Sequence, residues 1–87
     1  MEAQAILDEL VGVLESNNTA VRHEPLGGGA GGVCYFKDRT VVFVDTQASA
    51  ADSAMICAQA ARQLIDLESI YLRPQVRQFV ENTPLND

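Results

Sequence analysis

Apolar residues recur at three-and-four spacing near the start of the chain, at Ile6, Leu7, Leu10, Val11 and Leu14, with Glu2, Asp8, Glu9 and Glu15 between them. That period predicts an amphipathic helix over residues 2–16. Gly12 interrupts it at about 1 kcal/mol relative to alanine, and close packing against a sheet would explain its presence. Ser16-Asn17-Asn18 supplies a stop, since asparagine tolerates the left-handed conformation past a helix end. The period then drops to two. Thr19–Glu24 predicts a first strand with Val21 and His23 on one face and Ala20, Arg22 and Glu24 on the other, bordered by Pro25.

Two further apolar runs, Val33–Lys37 and Thr40–Asp45, flank a polar break at Lys37-Asp38-Arg39-Thr40 and predict a strand pair joined by a tight reversal. The second run, Val41-Val42-Phe43-Val44, is apolar on both faces. Buried antiparallel strands usually alternate, so this one is expected at the centre of its sheet, or covered on its second face by a helix or a partner subunit. Ser49 is a helix N-cap candidate with Asp52 three residues on. The helix it starts should run from Ala50 to about Asp66, with alanine at 50, 51, 54, 58, 60 and 61 allowing close approach to a neighbour. Leu67–Leu72 reads as a turn or a short edge strand through Ile70 and Leu72. Pro74 opens a last helix whose apolar side is Val76, Phe79 and Val80, and residues 83–87 read as a frayed tail.

The order is α–β–β–β–α. It predicts an α+β fold: a three-stranded antiparallel sheet, both long helices packed on one face, and a short C-terminal helix. A chain of 87 residues holds one hydrophobic core and not two, so residues 1–82 form one domain with 83–87 as its tail. A small core of this kind gains from good packing or from a second copy.

Charge narrows the choice of partner. Twelve acidic against six basic residues give a formal charge of −6, which argues against nucleic acid, where Lys and Arg supply the backbone affinity. No stretch approaches the roughly 20 apolar residues of a membrane span, and the start lacks the basic-then-apolar pattern of a signal peptide. The expected setting is cytoplasmic, without a membrane partner.

Candidate chemistry is sparse. Cys34 and Cys57 sit among apolar neighbours and read as small buried hydrophobes. His23 is the one histidine, and the close paired spacings of structural zinc sites are absent, so neither metal nor cofactor is expected. A cysteine nucleophile would require Cys34 and His23 to meet across neighbouring strands.

The most unusual segment is Leu26–Gly32, with glycine at 27, 28, 29, 31 and 32. A phosphate loop would need a lysine and a helix after it, whereas Val33-Cys34-Tyr35-Phe36 reads as strand. The segment is therefore expected to be a connector or a wide bulged hairpin. As an alternative, Gly27, Gly28, Gly29, Gly31 and Gly32, with His23, would form a backbone nest for an anion or small ligand. That alternative requires a concave pocket on which at least two of His23, Cys34 and Asp45 converge. Tyr71, Arg73 and Arg77 form the one local concentration of aromatic and positive character, of the composition favoured in protein interfaces.

The α–β–β–β–α order resembles the double-stranded RNA-binding domain. That family's second helix starts with basic residues, where this chain has Ser49-Ala50-Ala51-Asp52, so the resemblance extends to topology and not to RNA binding. Through Leu26–Gly28, Val42–Asp45 and Tyr71–Arg77 the chain also looks like a group of short bacterial proteins to which no activity attaches. Taken together, the pattern leads to a non-catalytic protein that self-associates, as a homodimer for example, or binds another protein. The alternative is a small-ligand or anion-binding protein using the loop at 27–32.

Overall fold

The computed structural model describes residues 1–28 and 31–84. Its elements are α1 (Ala3–Ser16), β1 (Thr19–Glu24), β2 (Gly32–Phe36), β3 (Arg39–Asp45), α2 (Ala50–Leu64), a 3-10 turn (Leu67–Ser69) and α3 (Pro74–Asn82). The class is α+β, with three helices and a three-stranded mixed sheet.

Helix α1 buries Ile6, Leu7, Leu10 and Leu14, the face its period predicted. Leu10 and Leu14 are fully enclosed, and such burial contributes roughly 1.5–3 kcal/mol per side chain. At the helix end Ser16 Oγ and Asn17 Nδ2 donate to the carbonyls of Gly12 and Val13, each at 2.8 Å. The Asn17 N–H turns to the Leu14 carbonyl at 3.0 Å, so its side-chain amide supplies the Val13 carbonyl in its place, while the Ser16 hydroxyl adds a second donor to the Gly12 carbonyl. Asn18 then turns the chain with φ 61. Gly12 is exposed, and a Cβ built there meets nothing within 4 Å. Close packing is therefore not what places a glycine at this position.

The sheet order is β1-β3-β2. The doubly apolar strand is central. β2 meets β3 as an antiparallel hairpin in which Phe36 pairs with Arg39, leaving Lys37-Asp38 as the turn, with Lys37 at φ 57. β1 lies parallel to β3, from Thr19↔Thr40 to Glu24↔Asp45. The expected all-antiparallel sheet is thus corrected to a mixed one. Consecutive strands β1 and β2 do not pair, because β3 takes the position between them and its backbone groups are satisfied on both edges. The bulged-hairpin reading of the glycine segment fails for the same reason.

Val42 and Val44 are fully buried on one face of β3, and Val21 and Val33 from the flanking strands join the same core. α1 packs on β1 and α2, and α2 packs on β2 and β3. Ala54, Cys57, Ala58 and Ala61 form a completely buried stripe on α2, where small side chains permit the close approach of α1. Ser49 Oγ accepts the Asp52 N–H at 3.1 Å and caps the helix. The helix ends at Leu64, before the expected Asp66, which instead caps the 3-10 turn through Oδ1 and the Glu68 N–H at 3.2 Å. Leu67–Ser69 is that turn and not an edge strand. Pro74 begins α3, which buries Val76 and Val80. Beyond it, Arg62 and Gln59 donate to the Thr83 and Pro84 carbonyls at 2.8 and 3.0 Å, while residues 85–87 of the expected tail lie outside the described residues. Among the described residues no helix is long and apolar enough to cross a membrane.

Candidate functional site

Because β1 and β2 flank β3, the segment joining them must cross the end of the central strand, a span of about 10 Å at normal strand spacing. Asp45, the last residue of β3 and only 5% exposed, anchors that crossing. Its Oδ1 accepts the N–H groups of Gln47 (3.0 Å) and Leu26 (3.3 Å), and its Oδ2 accepts that of Gly28 (3.2 Å). The Gln47 and Leu26 donors, with a smaller contribution from Gly28, hold the carboxyl below its usual range against the opposing effect of burial. Gly31 passes directly against β3: at φ 78, a Cβ there would overlap the Phe43 carbonyl oxygen. Gly27 and Gly28 also have positive φ, 65 and 86, but a Cβ on either meets open space. Gly32 begins β2, and Gly29 lies outside the described residues.

A cavity of about 370 Å³ opens beside this crossing, bordered by Gly28, Asp45, Asp52, Ser53, Met55 and Ile56. Neither His23 nor Cys34 borders it. The register separates them further. Cys34 pairs with Val41, whose other partner is Ala20, whereas His23 pairs with Val44. Three residues along β3 place the two side chains on opposite faces and about 10 Å apart along the strand. The Cys34–His23 pairing does not form. The loop's Leu26 and Gly28 donors already serve the chain's own carboxylate, and an incoming anion there would meet Asp45 and Asp52.

The two cysteines differ. Cys57 is buried in α2, and burial pushes its thiol up to about 11. Cys34 is exposed, contrary to the expectation that both are interior. The expectation failed because β2 lies at the sheet edge and Cys34 faces away from the helices. Among the described residues no group of three or more His, Cys, Asp or Glu is placed to hold a metal ion.

Tyr71, Arg73 and Arg77 are drawn into different tasks. Arg77 Nη2 donates to the Leu67 and Ile70 carbonyls at 3.0 and 3.2 Å, closing the 3-10 turn. Arg73 Nε pairs with Glu9 Oε1 at 2.8 Å, tying α3 to α1. Tyr71 is 82% exposed and borders an open groove with Glu9, Gly12 and Val13.

The remaining surface is the sheet face opposite Val42 and Val44. Alternation places Ala20 and Arg22 from β1, Val41 and Phe43 from β3, and Cys34 and Phe36 from β2 on it. Phe36 is 61% exposed, Cys34 is exposed, and Val41 and Phe43 are half-buried. None of these residues belongs to the core. Lys37 Nζ lies 5.6 Å from the Phe36 ring centroid at the hairpin end, and Arg22 pairs with Glu24 at 3.0 Å at the opposite end. The sequence signal for this face was the run of four apolar residues in β3. Its partners on β1 and β2 could not be read without the register. Comparison of the chain with protein-family models, with curated proteins and with solved structures finds no match, so its functional reading rests on these residues.

Proposed function

We propose that this chain is a non-catalytic protein-interaction module that docks through the open face of its sheet. The observation that supports the reading is the contiguous patch of Phe36, Cys34, Val41 and Phe43. Water is a poor neighbour for such a surface, and covering it removes apolar area at about 25 cal/mol per Å². Apolar side chains that share one open sheet face and are rimmed by charge are a common feature of interaction sites. The loop over Asp45 serves this reading as scaffold, since it fixes the start of β2 and therefore the register of Cys34 and Phe36 on the face.

Site-specific photocrosslinking tests it. A photoreactive phenylalanine analogue replacing Phe36 is compared with one replacing Gln63, which is exposed on α2. Both are irradiated in concentrated pure protein and in cells. Discrete protein adducts from position 36 and none from position 63 are expected. Equal adducts from both positions, or none from position 36, would overturn the reading.

A further inference from the structure

We infer that β2 pairs edge to edge with β2 of a second copy, antiparallel and centred on Cys34, so that the two sheets become one. The inference goes beyond the docking role proposed above and does not rest on it, since the open face stays uncovered in this arrangement.

Register decides which backbone groups of β2 are free. The Glu24 carbonyl accepts the Thr46 N–H at 3.1 Å, so even-numbered positions along β3 turn their backbone groups toward β1. The odd-numbered ones turn toward β2, as the alternation of a ladder requires. Gly32↔Phe43, Cys34↔Val41 and Phe36↔Arg39 are therefore the pairs that exchange hydrogen bonds. The two-residue turn at Lys37-Asp38 sets the same phase. The N–H and C=O groups of Val33 and Tyr35 point the other way, out of the sheet. Among the described residues no strand lies beyond β2 to meet them.

The two edges of the sheet are not equivalent. β1 carries the Arg22–Glu24 ion pair and is followed by Pro25, features that discourage strand addition. β2 has neither charge nor proline, and its Cys34, Tyr35 and Phe36 are exposed. The complement of an open row of backbone donors and acceptors is another extended backbone.

Backbone angles select the register, and the register selects the occupant. Centred on Cys34, antiparallel pairing sets Val33 of each copy against Tyr35 of the other, and every outward group of both is bonded. Centring on Val33 would set Tyr35 against Gly31, which at φ 78 is not extended and presses on the Phe43 carbonyl. Centring on Tyr35 would set Val33 against Lys37, which lies in the turn at φ 57. Each shift loses pairs. In the register that remains the strand is its own complement. An aromatic ring stands beside a β-branched side chain at Tyr35 and Val33, and Phe36 lies across from Gly32, where an aromatic covers an edge glycine. No charge falls within β2 to oppose its own copy. One edge serves both copies, as a two-fold dimer requires.

On the two-fold axis the Cys34 residues form a non-hydrogen-bonded pair, whose Cα atoms stand about 4.5 Å apart. A disulfide spans that separation, so oxidation reports the geometry. The full chain is treated with diamide, which takes up both thiol hydrogens as the sulfur–sulfur bond forms. The protein is held at about 300 µM, because so short a strand pair has a dissociation constant on the order of 0.1–1 mM. Cys57 is buried and does not compete. Two variants are compared: Tyr35→Pro, and Cys34→Ser combined with Gln63→Cys, whose thiol is exposed on α2. Proline at position 35 removes an N–H that faces away from β3, so the ladder within the chain is kept while the edge loses a donor.

After correction for each thiol's rate with a small reagent, wild type should crosslink at least about tenfold faster than either variant. Wild-type crosslinking no faster than that of the Gln63→Cys protein overturns the pairing. Equally fast crosslinking by folded Tyr35→Pro also overturns it, since thiols that meet by stacking of the open faces do not need that donor. If Tyr35→Pro does not fold, the wild-type amide resonances decide. The Val33 and Tyr35 N–H signals should move downfield as concentration rises from about 20 to about 500 µM, and signals that stay in place overturn the pairing.

Discussion

Gly31 provides the sharpest test of how the loop is built. Replacing it with alanine does two separable things. The positive φ of 78 disfavours any L side chain by about 1–2 kcal/mol. The added Cβ also overlaps the Phe43 carbonyl oxygen, a backbone atom in the central strand that cannot swing aside as a side-chain tip could. Forcing extra atoms into a filled site typically costs about 1–3 kcal/mol more. The sum is roughly 2–5 kcal/mol, against the roughly 4–13 kcal/mol expected for a domain of 87 residues. Gly27→Ala and Gly28→Ala are the matched controls, with φ of 65 and 86 but open space at the Cβ, so each should lose only the backbone contribution of about 1–2 kcal/mol. Urea denaturation followed by circular dichroism measures the differences, and thermal midpoints should follow at about 4–8 °C per kcal/mol. If Gly31→Ala loses no more stability than Gly27→Ala, the loop does not press against β3 and the crossing described above is wrong.

Gly12→Ala should behave oppositely and stabilise by about 0.5–1 kcal/mol, because the site is helical, exposed and open; a loss of stability in the same urea assay would contradict that geometry. Asp45 adds a pH dependence of known sign. Its folded carboxyl titrates below the unfolded value of about 3.9, so its contribution is complete above that pH and is lost as pH falls through the depressed folded value. The stability gap between wild type and Asp45→Asn should therefore be widest near neutrality and close in acid, and a gap unchanged across the range would refute the carboxylate's role as loop anchor. In a thiol-reagent titration near pH 8, Cys34 alone should react in the native protein, with Cys57 following only in denaturant because burial holds its thiol at about 11. Two fast thiols in the native state would show that α2 is not packed as described.

Much of the fold is legible locally. The three-and-four spacing from Ile6 to Leu14 corresponds to the buried face of α1, the Ser49 cap to the start of α2, and the Pro74 signal to the start of α3. Each depends on contacts within a few residues, where period and capping chemistry act directly. The Val41–Val44 run likewise foretold a central strand. The candidate site was less accessible. Arg73 and Arg77 share a four-residue spacing, yet one is committed to Glu9 and the other to the carbonyls of a turn, and spacing alone cannot assign such partners.

What lay beyond the sequence was the direction and neighbour of β1. A strand's own residues are equally compatible with parallel and antiparallel pairing, and the choice is made by which distant backbone groups it meets. Once β3 entered between β1 and β2, the glycine segment had to pass over its end, Asp45 became the anchor, and Cys34 moved from the assumed interior to an open face. The type and extent of each element follow from short-range periodicity. The crossing loop and the uncovered face follow from long-range pairing, which no local pattern encodes.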